Sequence, residues 1–201
     1  MQKLKTKEKI METLRNKILT EGTVIGSEIL KVDSFLNHQI DIELFNEIGQ
    51  EFKKRFKCDE ITKILTVEAS GIGIACIVAQ YFGNVPVVFA KKHEATNLVG
   101  DTYEADVFSF TKNKNYKIRI SKKYIEPEDK ILIIDDFLAN GNAALGLIET
   151  ARQAEAYVVG VGIVIEKGFQ NGRSRIEKEG IKVESLAIIK SIQDNKIVFN
   201  D

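Results

Sequence analysis

The stretch from residue 131 to residue 143 constrains the fold of this 201-residue chain more than any other segment. Four apolar residues, Ile-Leu-Ile-Ile, run directly into two adjacent carboxylates, Asp135 and Asp136. An apolar, β-branched run of this kind is typical of a parallel strand that is buried on both faces. Small residues follow at 139–143, and apolar residues at helical spacing come next. The segment therefore predicts a buried strand, an acid pair, an open loop and a helix in close succession.

Strands and helices alternate from residue 61 onward, which predicts an α/β fold with a parallel sheet and helices on both faces. Strands are predicted at residues 63–67, 85–90, 130–134 and 157–165, a strand pair at 106–110 and 116–121, and one or two edge strands in the tail, including 197–199. Helices are predicted at residues 10–22, 41–57, 71–82 and 172–180, and after residue 143. Residues 91–104 are polar and lack periodicity, so we expect a long loop there, and such loops are often functional lids. We expect a single domain over residues 1–201.

The balanced charge of the chain argues against partners that bind through the overall electrostatic field of a protein. Lysine plus arginine number 29, as do aspartate plus glutamate, so the formal net charge is zero. Nucleic acid or an anionic membrane is therefore not an expected partner. No apolar run approaches the roughly 18 residues of a membrane span, and the polar, lysine-rich start does not resemble a secretory signal. We expect a cytoplasmic protein.

Cysteine and histidine are too sparse for a metal centre. The cysteines, Cys58 and Cys76, fit no metal-binding or redox spacing, so we expect two reduced thiols. The histidines, His38 and His93, lie far apart in the sequence. A His/Cys metal site and a Ser-His-Asp triad are both improbable, and no dedicated metal site is predicted.

The acid pair and the loop after it suit a sugar phosphate. Ligands of an open parallel sheet bind beyond the carboxyl ends of its strands, where Asp135 and Asp136 are predicted to lie. Carboxylates accept hydrogen bonds from a diol such as that of ribose. The small residues let backbone amides approach an anion at a helix N-terminus. An isolated Asp-Asp pair is more often a turn or helix cap, but the whole pattern is more specific.

This pattern resembles the diphosphate-ribose motif of type I phosphoribosyltransferases, which is an apolar run, Asp-Asp, two residues and then small-x-Gly-x-small. The resemblance implies that family's fold, a central mostly parallel sheet flanked by helices with a small N-terminal hood over the site. It also implies that Asp135 and Asp136 are catalytic. The loop that binds phosphoribosyl diphosphate would consist of Ala139, Asn140, Gly141, Asn142 and Ala143.

The loop departs from the family pattern at three positions. Many members have threonine where this chain has Ala139 and Ala143, and often glycine where it has Asn140. Fewer hydroxyls are thus offered to the 5′-phosphate, and Asn140 and Asn142 offer side-chain amides instead. The Ala-Asn-Gly-x-Ala form resembles the branch of the family that uses xanthine.

Two further segments resemble the base-binding parts of that branch. Residues 30–41 resemble its N-terminal base-covering segment, which implies that Leu30 and Asn37 contact the base. Residues 164–169 resemble the segment whose lysine, here Lys167, contacts the purine. An ammonium group facing a purine oxygen forms a charge-assisted hydrogen bond and suits acidic xanthine. Without the resemblance, Leu30 would be an ordinary core residue, Asn37 a turn residue and Lys167 a solvated strand end.

Residues 67–73 resemble the family's pyrophosphate loop, which implies roles for Ser70 and Gly71. The plain alternative is a helix N-cap at Ser70. Lys91 and Lys92 open the long loop, and pyrophosphate requires cations, although a surface charge pair would look the same. In related enzymes the basic residue here often reaches the neighbouring subunit's site, so the resemblance implies a homodimer.

The implied activity is purine salvage, in which the phosphoribosyl group of phosphoribosyl diphosphate is transferred to xanthine. Mg²⁺ would rest mainly on the substrate's oxygens. Residues 1–40 would form the helix and hood, and residues 91–121 a flexible lid with its strand pair. The alternatives are guanine, hypoxanthine or adenine as the base, or a regulator of the same fold that binds nucleic acid. A P-loop nucleotidase is weaker, because no Gly-x4-Gly-Lys-Ser/Thr sequence is present.

Overall fold

The computed structural model describes residues 10–26, 29–57, 60–92, 100–109, 114–194 and 196–200, so Cys58, His93 and half of the predicted lid loop, residues 93–99, lie outside the described residues. The helices are α1 (Glu12–Glu21), α2 (Ile42–Arg55), α3 (Ser70–Tyr81), α4 (Asn142–Gln153) and α5 (Gly172–Lys178), with a π-helical turn at Asp33–Asn37 and a 3-10 helix at Lys122–Tyr124. The strands are β1 (Thr23–Ile25), β2 (Ile29–Lys31), β3 (Lys63–Val67), β4 (Val87–Ala90), β5 (Thr102–Ser109), β6 (Lys114–Ser121), β7 (Lys130–Leu138), β8 (Tyr157–Lys167), β9 (Val183–Gln193) and β10 (Lys196–Phe199). Among the described residues, no helix combines the length and apolar character that crossing a bilayer requires.

Six strands form the central sheet in the order β10-β9-β8-β7-β3-β4. All neighbours are parallel except β10, which pairs antiparallel with β9 at one edge. The predicted fold class, an α/β fold with a mostly parallel sheet, is therefore confirmed. The tail contains one edge strand rather than two, because β10 covers the longer strand β9.

Alternation along β7 explains how the sheet is buried on both sides. Leu132 and Ile134 pack into a hydrophobic cluster that includes residues of α1, α2 and α3. Ile131 and Ile133 pack into a second cluster with α4, α5 and the β5–β6 pair. Successive side chains of a strand point to opposite faces, so one apolar run serves both clusters.

The N-terminal segment contains structure that the sequence pattern did not predict. β1 and β2 form a short antiparallel hairpin, and the π-helical turn follows it. Strands of three residues are too short to show a period. Asp41 is the N-cap of α2, since one of its carboxylate oxygens accepts a hydrogen bond from the Leu44 N–H at 3.1 Å. Lys17 of α1 pairs with the same carboxylate and so attaches α1 to α2.

The β5–β6 pair begins earlier than the sequence predicted. β5 starts at Thr102, so the predicted loop over residues 91–104 is wrong at its end. Charged residues obscured the alternation there, because Glu104 is neutralised across the pair by Lys117 and Arg119. The pair packs on α4 so closely that a Cβ at Gly146 would lie 2.7 Å from Val107.

Candidate active site

The acid pair lies in the carboxyl-terminal part of β7, which continues to Leu138, beyond its predicted end. Asp135 is only 5% exposed, whereas Asp136 is half-buried. The Asp136 N–H donates to a carboxyl oxygen of Asp135 at 3.0 Å, and the Phe137 N–H donates to Asp136 at 2.9 Å. Both carboxyl groups are therefore fixed in orientation, and Asp136 is the more accessible to a ligand.

Burial raises the pKa of Asp135 well above its usual range, and the neighbouring charge of Asp136 raises it further. A hydrogen bond from the Asp136 main chain and the charge of Lys92 oppose this rise only in part. Removing a carboxylate from water disfavours its charged form. The two acids therefore differ in chemistry, because burial shifts the pKa of Asp135 upward and Asp136 is the more accessible of the two.

We expect Asp135→Asn to stabilise the ligand-free protein near neutral pH. The pKa of Asp135 is higher in the folded than in the unfolded state, so the folded state binds its proton more tightly. Wild-type stability is therefore lost as the pH rises from the unfolded pKa through the raised folded pKa. Asparagine does not titrate, so the variant does not lose this stability. Its melting temperature should exceed the wild-type value by roughly 2–4 °C, which corresponds to a free energy of unfolding that is higher by about 1 kcal/mol. Thermal unfolding between acidic and neutral pH measures the difference, which should grow with pH.

Asp129 provides a control of opposite sign. Burial would raise the pKa of Asp129, but the Glu126 N–H and the Lys63 ammonium outweigh burial and lower it. The ionised carboxylate of Asp129 therefore stabilises the folded state at neutral pH, and this stabilisation is lost as the pH falls. Asp129→Asn should destabilise the protein at neutral pH. A pH-independent loss of stability in Asp135→Asn would contradict the first prediction.

The predicted phosphate loop, residues 139–143, connects β7 to α4. Gly141 precedes the helix with a φ of 77°, in the left-handed region that favours glycine. A Cβ at Gly141 would also lie 3.2 Å from the backbone of Gly172. No described side chain caps the start of α4. The unpaired N–H groups of its first turn are thus the donors that the motif assigns to an anion.

The side chain of Asn142 is committed to other partners. Its amide nitrogen donates to the Phe108 carbonyl at 2.8 Å, and its amide oxygen accepts from the Arg175 guanidinium at 2.6 Å. These contacts use the amide oxygen and one of the two amide protons of Asn142. A role of Asn142 in binding a phosphate stays a prediction.

The predicted pyrophosphate loop joins β3 to α3, and Ser70 is the first residue of that helix. Gly71 is buried against β3, and a Cβ there would lie 2.1 Å from the Thr66 hydroxyl and 3.5 Å from a carboxyl oxygen of Asp135. Thr66 is fully buried, and its hydroxyl has no hydrogen-bond partner among the described residues. Gly71 thus brings this loop and the acid pair close together.

The two predicted cations follow β4. Lys91 exchanges main-chain hydrogen bonds with Arg119 of β6, both at 2.9 Å. The Lys92 N–H donates to the carboxylate of Glu68 in the pyrophosphate loop. The Lys92 ammonium lies over the ring of Tyr116, 5.7 Å from the ring centroid. Both lysines are therefore held beside the predicted pyrophosphate loop.

The base-covering segment reaches the acid pair through Asn37. Its side-chain nitrogen lies 3.5 Å from a carboxylate oxygen of Asp136, across 99 residues of sequence. Leu30 is buried in the hydrophobic cluster that also contains residues of α1, α2 and α3, and one of its methyl groups lies against Gly22. The structure therefore brings Asn37 to the acid pair and places Leu30 in the hydrophobic core.

Lys167 is the half-buried last residue of β8. The preceding residue, Glu166, is buried and forms hydrogen bonds with Arg173 and Ser185. The Gly168 N–H donates to the Ile189 carbonyl at 2.8 Å. Both neighbours of Lys167 are therefore fixed at the end of the sheet where the acid pair lies.

Known proteins resemble this chain over nearly its whole length. The xanthine phosphoribosyltransferase of Clostridium novyi is 68% identical over 191 residues, which cover 95% of this chain and 100% of the relative. Xanthine phosphoribosyltransferase 2 of Clostridium botulinum is 64% identical, over 94% of this chain and 100% of the relative. The chain belongs to the xanthine phosphoribosyltransferase family. The predicted resemblance and the enzyme class are confirmed.

The phosphoribosyltransferase fold is also found among solved structures. The adenine phosphoribosyltransferase of Rhodothermus marinus superimposes with a TM-score of 0.71 over 89% of this chain and 100% of that chain, at 23% identity. At that identity the likeness shows the fold alone. No family model matches the chain.

Sequence reasoning missed two residues of this xanthine phosphoribosyltransferase family member that support its loops. Thr66 is a hydroxyl residue among the apolar residues Ile64, Leu65 and Val67 of β3, and that polarity was the available signal. Arg175 lies on α5 and contacts the phosphate loop, with no local pattern to identify it. A groove of about 780 Å³ lies between β5 and α4, and neither acid of the pair lines it.

Proposed function

We propose that this protein transfers the 5-phosphoribosyl group of phosphoribosyl diphosphate to xanthine, giving xanthosine 5′-monophosphate and pyrophosphate in purine salvage. The contact between Asn37 and Asp136 carries the proposal. It joins the segment assigned to the base with the acid pair assigned to ribose, at 3.5 Å. Names at 60–68% identity support xanthine as the base.

The proposed reaction exchanges one bond at the anomeric carbon. Its bond to pyrophosphate breaks through a state with positive charge on the ring, and a purine nitrogen forms the new bond and loses its proton to solvent. Asp136 would hold the ribose hydroxyls and stabilise that charge. The loops at residues 68–71 and 139–143 would position the two ends of the substrate, so most of the rate enhancement would come from orientation.

We propose Mg²⁺ as the cofactor of the substrate complex. Asp136 offers a hard carboxylate oxygen at the strand end, which fits a Mg²⁺ ion that keeps most of its ligands as substrate oxygens and water. When bound, the ion would neutralise charge on the pyrophosphate group. No cluster of three or more His, Cys, Asp or Glu side chains that could hold a metal occurs among the described residues.

Three further features belong to the proposal. The protein would act as a cytoplasmic homodimer in which Lys91 or Lys92 reaches the partner's pyrophosphate. Residues 1–40 would form the N-terminal helix and the hood that covers the base. The lid loop predicted at residues 91–104 would exclude water from the site and so limit hydrolysis of phosphoribosyl diphosphate.

A panel of purines tests the substrate. The protein is mixed with phosphoribosyl diphosphate, Mg²⁺ and either xanthine, guanine, hypoxanthine or adenine, and pyrophosphate release is measured. When the four bases are compared at the same low concentration, pyrophosphate release should be fastest with xanthine. Release with adenine alone would overturn the assignment of the base, and release with none would overturn the proposed activity.

We expect Lys167→Ala to raise the KM for xanthine by about 10- to 100-fold, because a hydrogen bond from a charged donor is lost. The KM for phosphoribosyl diphosphate and kcat should change much less. Steady-state kinetics with each substrate varied separate these effects. Lys190→Ala is the matched control, since Lys190 is an exposed lysine on the neighbouring strand β9. Unchanged xanthine kinetics in Lys167→Ala would remove Lys167 from the base site.

A further inference from the structure

Helix α5 packs against the back of the phosphate loop. The Gly172 N–H donates to the Ala139 carbonyl at 3.1 Å. A Cβ at Gly172 would lie 2.3 Å from that carbonyl oxygen and 3.0 Å from the Gly141 nitrogen. The backbones of α5 and the loop thus approach as closely as glycine allows, and the start of α5 supports the loop.

Arg175 connects the same helix to the loop through its guanidinium group. One guanidinium nitrogen donates both to the Asn140 carbonyl and to the side-chain oxygen of Asn142, the latter at 2.6 Å. The Asn142 side chain in turn donates to the Phe108 carbonyl of β5 at 2.8 Å. Arg175 is half-buried in this arrangement. One cation therefore joins α5, the phosphate loop and the β5–β6 pair.

The contact at Asn140 determines which way a peptide unit of the loop faces. The bond between Asn140 and Gly141 is trans, so the carbonyl of Asn140 and the N–H of Gly141 point in opposite directions. Because Arg175 holds the carbonyl toward α5, the Gly141 N–H faces away from α5. If this peptide flipped, the loop would present a carbonyl oxygen in place of an N–H donor.

We propose that Arg175 is a positioning residue for the ribose 5′-phosphate. It holds the Asn140–Gly141 peptide so that the loop offers a donor to the phosphate and keeps an acceptor away from it. The inference rests on the proposed function, in which residues 139–143 bind the 5′-phosphate. A change at Arg175 should therefore weaken the binding of ligands that carry this group, such as ribose 5-phosphate and xanthosine 5′-monophosphate. It should not weaken the binding of xanthosine or pyrophosphate, which lack the group.

Arg175→Met tests the proposal in binding and in kinetics. The Kd values of ribose 5-phosphate and xanthosine 5′-monophosphate should both rise by about tenfold. The Kd values of xanthosine and pyrophosphate should stay unchanged. In turnover, the KM for phosphoribosyl diphosphate should rise by a similar factor, while kcat and the KM for xanthine change little. Arg175→Lys keeps the charge and one donor, so it should lose less affinity, and added guanidinium should partly restore Arg175→Met.

Arg152→Met is the matched control. Arg152 lies in the last turn of α4, at the opposite end of that helix from the loop, and forms an ion pair at 2.8 Å with Glu179, the C-cap of α5. Arg152→Met should leave the Kd values of all four ligands unchanged. The proposal would be overturned if Arg175→Met raised the Kd values of pyrophosphate and xanthosine as much as those of the 5′-phosphate ligands. It would also be overturned if the Kd values of the 5′-phosphate ligands did not change. If the wild-type protein itself bound no 5′-phosphate ligand and released no pyrophosphate, the proposed function would fail instead.

Discussion

Asp136→Asn is expected to lower kcat by about 100-fold, in the range seen when one preorganised electrostatic contact to a transition state is removed. Asparagine has nearly the same shape and can still accept the Phe137 N–H that contacts Asp136 at 2.9 Å. The change therefore removes charge with little change of structure. Positive charge develops on the ribose ring only as pyrophosphate leaves, so the KM values should change much less than kcat. Steady-state and single-turnover rates would measure the effect.

Asp106→Asn is the control for this prediction. Asp106 is an exposed acid on β5, outside the acid pair, so its loss of charge should leave kcat unchanged. Melting temperatures of both variants would show that each is folded. A kcat for Asp136→Asn close to the wild-type value would contradict the assigned role of Asp136, and a loss confined to KM would make it a binding residue only.

Gly71→Ala is expected to disrupt the pyrophosphate loop. A Cβ at this position would lie 2.1 Å from the Thr66 hydroxyl, far inside contact distance. Threonine is stiff at χ1, so the loop must move instead. Overpacking of this kind destabilises a protein by about 1–3 kcal/mol, although alanine in an exposed helix position is usually stabilising. The Kd of pyrophosphate should rise at least tenfold, since a charged group would lose a hydrogen bond worth about 1.5–3 kcal/mol. Calorimetric titration with pyrophosphate and thermal unfolding would measure both effects.

A second substitution shows whether the collision is the cause. Thr66→Ala removes the hydroxyl that a Cβ at Gly71 would meet, so the double variant should recover much of the stability and pyrophosphate affinity lost in Gly71→Ala. Thr66→Ala alone should cost little stability, because this hydroxyl has no partner among the described residues. Additive losses in the double variant would show that Gly71 is needed for another reason.

The elements predicted best were those whose pattern is long and whose environment is uniform. The apolar run of β7 and the stripe of α2, which includes Phe45, Ile48 and Phe52, are buried along their length. Their periods therefore identify them without knowledge of the neighbours. The β1–β2 hairpin is too short to show a period, and β5 was predicted too short because Glu104 is neutralised by residues of another strand.

The site was predictable where a local motif specifies the backbone. Gly141 is an example, since the left-handed turn before α4 depends on that residue. The burial of Asp135 and the contact of Arg175 with the loop depend on segments that are far apart in sequence. No local pattern encodes such contacts, so only the folded structure could distinguish the two acids or identify Arg175.

The contact between Asn37 and Asp136 bears on how substrate choice could change during evolution. The residues assigned to the base lie in the N-terminal segment and at the end of β8, whereas those assigned to the sugar phosphate lie in the last part of β7 and in the turns after β3, β4 and β7. Mutations in one set can accumulate while the other remains constant. Such a division would allow a family to exchange one purine for another and keep the same transfer chemistry.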